Sequence, residues 1–115
     1  IQSHFNMTQI KKRTKMVKEV MTDIPETRNS DIKLTLEIWK RFYPNYIKDL
    51  DGVEVVSLSS LYTLPREDNV KRLRAFIQNT EGRLPPTTWE VAKQRGINKE
   101  IWESSIVLKK VDLRT

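Results

Sequence analysis

Positively charged and amide side chains at helical spacing are the groups in this chain best placed to do chemistry. Lys71, Arg74 and Gln78 recur at intervals that put them on one side of a helix. Arginine and lysine neutralise phosphates, while a guanidinium or a terminal amide can make paired hydrogen bonds to guanine or adenine. A second group, Lys93, Arg95, Asn98 and Lys99, surrounds a glycine turn at Gly96, where backbone phosphates would be gripped. A third, Lys11, Lys12, Arg13 and Lys15, crowds the first helical stretch as a secondary basic arm or as a solvated helix face. These residues are the candidate nucleic-acid contacts.

Composition agrees with that chemistry and excludes others. The 115 residues carry a formal net charge of +6, which favours acidic partners: nucleic acid first, then an acidic protein surface. There is no cysteine, hence no disulfide framework or thiolate nucleophile, which suits a reducing cytoplasm. The single histidine, His4, cannot by itself build a zinc site or a Ser-His-Asp triad. None of the glycines is spaced for a phosphate loop. Acids such as Asp23, Glu26, Asp31, Glu67 and Asp68 sit at helix boundaries, where the helix dipole accounts for them. Asp49, Asp51 and Glu54 fit a turn better than a metal cage. The expectation is a protein that is not an enzyme, with no catalytic residue, no metal and no cofactor. No run of residues is apolar enough to span a bilayer, so no membrane role is expected.

The elements that must position these groups follow from periodicity and punctuation. Residues 1–6, IQSHFN, precede Met7 and read as a vector or tag remnant, leaving 7–115 as a single helical domain. A first helix spans roughly 9–22, with Ile10, Val17, Val20 and Met21 as a partial apolar stripe. Pro25 interrupts it. A second helix runs from Ser30 or Asp31 to about Tyr43, with Ser30 as its cap and a broad apolar face including Trp39 and Phe42. Asp51-Gly52 marks a tight bend. Residues 53–56 could pair with 106–113 as a minor two-stranded element. Ser57 caps a short helix that Leu64-Pro65 closes, and the next helix covers roughly 66–79. Gly82 to Pro86 forms a hinge.

The stretch 87–105 then reads as a helix-turn-helix-like unit. Ala92, Gly96, Ile97 and Ile101 fall near the positions where such units need a small residue, a turn glycine and apolar anchors. Arg95 stands where an aliphatic side chain is usual, and Glu90, Glu100 and Glu103 oppose a phosphate backbone. The expected fold is mainly α, a compact bundle of five or six short helices. Its core would come from Ile32, Leu36, Trp39, Phe42, Leu61, Val70, Leu73, Ile77, Trp89, Val91, Ile97 and Ile101.

PETRNSD at 25–31, the apolar helix after it, LPREDNVKRLRAFIQN at 64–79, and GRLPPT at 82–87 leading to Arg95 follow in an order that resembles a group of small phage and prophage proteins. The likeness covers about two thirds of the chain. It implies a phage-encoded accessory protein acting in the cytoplasm of a bacterial host, and it supplies no active site to carry over. The leading expectation is a small DNA-binding protein that regulates transcription or assists DNA transactions, with a homodimer left open. The alternative is a module that docks on a host or phage protein, for example a nucleic-acid enzyme that it inhibits.

Overall fold

A computed structural model describes the backbone over residues 2–114 and the side chains over residues 8–106. The chain is mainly helical: α1 (Gln2–Asp23), α2 (Asp31–Phe42), α3 (Glu67–Ala75), α4 (Trp89–Gln94) and α5 (Lys99–Arg114). One antiparallel hairpin joins β1 (Lys48–Leu50) to β2 (Val53–Val55). The question of a tag at residues 1–6 lies outside the described side chains.

The first three helices pack on one another and enclose the core. Val17, Val20 and Met21 of α1, Leu34 and Ile38 of α2, and Val70 and Ile77 beside α3 form one buried cluster. The repeat of Val17, Val20 and Met21 puts them on one side of α1, so the second half of this helix is buried despite the lysines of its first half. On α2 the buried side is Leu34–Ile38, with Trp39 and Phe42 at its margin. Ile32 and Leu36, assigned to the core on sequence, are exposed, as are Leu61 and Ile101. The apolar face of α2 was broad enough to be buried in more than one helical phase, and packing chose the phase containing Leu34 and Ile38.

Connections follow the local chemistry closely. The Ser30 hydroxyl accepts from the Lys33 amide at 3.2 Å and caps α2. Asp51 and Gly52 both take positive φ, 53° and 84°, as the two-residue hairpin turn requires. That turn directs β2 back onto β1, pairing Lys48 with Val55 and Leu50 with Val53. The expected pairing of 53–56 with 106–113 is therefore corrected: the partner is adjacent, and 106–113 belongs to α5. After α3 the chain widens into a π-helical turn, Phe76–Thr80.

Thr88, not Thr87, caps α4 by accepting from the Val91 amide. At the other end Gly96, at φ 75°, closes the helix. Its N–H bonds the Lys93 carbonyl at 3.1 Å, and that of Ile97 bonds Ala92 at 3.0 Å, the paired bonds of a left-handed glycine stop. Asn98 Oδ1 then caps α5, accepting from the amides of Glu100 and Ile101. Two helices joined by a glycine turn are thus present at 87–105.

Candidate functional site

The short 3-10 turn Pro25–Asn29 is where separate parts of the chain meet. Pro25 cannot extend α1, so the backbone turns there and leaves carbonyls and side chains to be satisfied from elsewhere. Arg28 folds back and donates through Nε to the Met21 carbonyl at 2.8 Å, capping the C-terminal end of α1. The Arg28 carbonyl in turn accepts from Arg95 Nη1 and from Gln78 Nε2. Asn29 holds the backbone amide and the hydroxyl of Thr87, the residue that leads into α4. Polar bonds from this turn therefore tie the α4–α5 pair to the three-helix body.

Next to the turn, at the start of α2, Asp31 receives Arg74 as a two-pronged pair, Nε to Oδ1 at 2.8 Å and Nη2 to Oδ2 at 2.9 Å. Arg95 Nη2 lies 3.9 Å from the same Oδ1. Gln78 completes the set, donating to the Leu84 carbonyl at 3.0 Å and accepting from Arg95 Nη1 at 3.1 Å. Arg28 and Arg74 are each only 4% exposed. Burial acts most strongly on Asp31, pushing its pKa up. The Arg74 hydrogen bonds, with the charges of Arg74, Arg95 and Lys71, outweigh that push and hold it below the ordinary carboxylate value. Arg28 and Arg95 are lowered from the usual guanidinium value, both chiefly by burial.

These positions revise the sequence reading. Lys71, Arg74 and Gln78 do share one side of their helix, but that side faces inward. Arg74 and Gln78 sit within the stripe that begins at Val70 and continues through Ile77, so they are buried with the core. Arg74, Gln78 and Arg95 are corrected from nucleic-acid contacts to members of an internal network, because their polar atoms are already bonded within the chain. Lys71 remains exposed at the edge of that network. Arg95 replaces the expected aliphatic side chain of the turn because its partners are a carbonyl, an amide and a carboxylate. Asn98 is exposed, with its oxygen occupied as a cap.

The Gly96 turn also carries an aromatic shelf. The Trp89 and Trp102 rings lie 5.7 Å apart, and Lys99 Nζ stands 5.9 Å from the Trp89 ring centre. Trp102 donates to the Pro86 carbonyl at 2.7 Å, which fixes the shelf against the hinge. Lys93 is exposed nearby. Lys93 and Lys99 therefore remain available to a phosphate.

A different arrangement occurs where α1 passes α3. Gln9, Ile10 and Arg13 of α1 and Asn69, Arg72 and Leu73 of α3 line an open groove of about 320 Å³. Lys11, Lys12 and Lys15 are exposed on the same stretch of α1. Among the described residues, none of these three lysines, nor Arg13 or Arg72, makes an ion pair, whereas Lys18, Lys40, Arg41, Arg74 and Arg95 all do. Sequence reasoning named the arm but missed Arg72 and the amides opposite it. The absence of acid from Thr8 to Lys18 was the available signal, and the crossing of α1 with α3 was not.

Among the described residues, no group of His, Cys, Asp and Glu could hold a metal ion, and no helix is long and apolar enough to cross a membrane. No family model, curated protein or solved structure matches the chain.

Proposed function

We propose that this is a small nucleic-acid-binding protein, with duplex DNA as its first partner, and that the α1–α3 face makes the contact. The observation that carries the reading is the segregation of charge. Unpaired cations collect along the first half of α1 and across the groove at Arg72, while the paired ones lie elsewhere. Lys11, Lys12 and Lys15 would neutralise phosphates, and the groove offers Arg13, Arg72, Gln9 and Asn69 to base edges or sugars. Lys93 and Lys99 at the Gly96 turn form a second place for backbone contact. The role is that of a phage-type accessory protein in the host cytoplasm, acting on transcription or on DNA transactions. Fluorescence anisotropy with labelled duplex and single-stranded DNA over a salt series tests it. Tight binding that falls steeply with salt is expected, and no binding at low salt would end the proposal.

A second reading, a module that docks on another protein, is favoured by a different surface. Leu58 is 82% exposed and Tyr62 86%, on the turn of helix Leu58–Tyr62, and Leu50 and Val53 present an uncovered cross-strand pair. Large apolar side chains gathered this openly often mark protein contacts. Binding of DNA unaffected by Leu58→Ser with Tyr62→Ser, together with capture of a protein partner lost in that variant, would support this reading beside the first.

A further inference from the structure

The Asp31 network holds more positive charge than its one carboxylate can neutralise. Arg74 and Arg95 both lie against Asp31 Oδ1, at 2.8 and 3.9 Å, and Lys71 is close enough to act on the same carboxylate. Several donors in this group have no acceptor within the protein. Arg74 bonds through Nε and Nη2, leaving Nη1; Arg95 bonds through Nη1, leaving Nε and Nη2. Yet no fully buried side-chain nitrogen or oxygen among the described residues lacks a hydrogen-bond partner. The three free nitrogens therefore reach solvent. Charge in excess, donors directed outward and a carboxylate that fixes both guanidiniums are what a pre-organised oxyanion site requires.

We infer that this edge of the network is a binding site for a phosphate group, held by Arg74 Nη1, Arg95 Nε and Nη2, and Lys71 Nζ, with Asp31 as the positioning residue. The start of α2 lies beside it and adds the positive end of its dipole. The site is separate from the groove: Lys71 and Arg74 lie on a different side of α3 from Arg72, which lines the α1–α3 face. It does not rest on the nucleic-acid reading. A bound phosphate would bridge α3 to the C-terminal end of α4, so binding would fasten the α4–α5 pair to the helical body.

The test measures thermal unfolding in inorganic phosphate against sodium chloride at matched ionic strength and pH. It uses the intact chain, Lys71→Gln, and the Lys11→Gln, Lys12→Gln, Lys15→Gln triple variant. A saturable rise in Tm of about 5 °C at a tenfold excess over Kd is expected for the intact chain and for the triple variant. Lys71→Gln, an exposed change that leaves the network in place, should weaken phosphate at least fivefold. Shifts of the Arg74 and Arg95 Nε–H resonances on adding phosphate would locate the ion directly. A response that follows ionic strength alone, an equal response in Lys71→Gln, or unmoved arginine resonances would overturn the site. Short oligonucleotides with and without a 5′ phosphate separate the sources. A Lys71-dependent gain from the 5′ phosphate assigns the site to nucleic-acid ends, and no gain while free phosphate still binds assigns it to the free ion; both uphold it. If duplex binding fails in the triple variant and the phosphate response persists, the two surfaces act independently.

Discussion

Asp31 holds the most consequential charge in the molecule, because its carboxylate is the acceptor for Arg74 and the nearest acid to Arg95. With its folded pKa below the unfolded one, it contributes stability that is present above about pH 4 and is lost as pH falls through the folded value. Asp31→Asn keeps the shape but leaves a buried guanidinium without its counter-charge, and breaking such a pair costs about 3–5 kcal/mol. Urea denaturation at pH 7 should show that loss. At pH 3 the gap between the two proteins should narrow, since the native carboxylate is by then becoming protonated. A gap that stayed constant with pH would mean that the pair contributes shape and not charge. Arg28 makes a useful contrast. It is as buried as Arg74 but bonds a helix-end carbonyl at Met21 instead of a carboxylate, so the α1 dipole offsets part of its desolvation.

Elements closed by turn chemistry were legible in the sequence, and elements whose orientation depends on packing were not. Ser30, Asn98, Gly96 and the Asp51-Gly52 bend act where their residue types said they would, because capping and positive φ are decided within a few residues. The phase of α2 and the inward turn of Arg74 and Gln78 depend on Asp31 and on Arg28's carbonyl, 43 and 50 residues away. A helix whose basic side also continues an apolar stripe reads equally well as a wet face or as a buried ion pair. Only the acid that waits for it decides, and that acid lies on another helix. The β pairing failed for a related reason: β-branched runs do not name their partner, whereas the hairpin turn between 50 and 53 does. Gly96 gives a local test of the α4–α5 junction. Gly96→Ala should cost about 1 kcal/mol, because a side chain is strained at this backbone angle although no neighbour stands within 4 Å of the added carbon. Guanidinium unfolding measures it, and a neutral result would show that the turn relaxes without its glycine.

Across the whole molecule the net charge of +6 is less informative than its distribution. Much of the positive charge on α2, α3 and the α4–α5 turn is consumed internally, by Glu37, Glu54, Asp23 and Asp31. The cations of the first half of α1 and Arg72 are not, so a polyanion would find the steepest potential there. If four phosphates are neutralised on this face, log K for duplex DNA should fall with log salt at a slope of about −4, or roughly 100-fold or more between 50 and 200 mM. Replacing Lys11, Lys12 and Lys15 by Gln should flatten that slope to about −1 and weaken binding at low salt by tenfold or more. Stability should stay within about 0.5 kcal/mol, because these side chains are exposed and have no ion-pair partner to lose. The comparison separates contact from folding, which a charge reversal at Arg74 cannot do, since that residue holds the fold together. An unchanged slope in the triple variant would move the contact to Lys93 and Lys99 at the Gly96 turn. A slope near zero in the intact chain would remove the electrostatic basis of the proposal, and the exposed apolar surface around Leu58 and Tyr62 would then be the place to look for a partner.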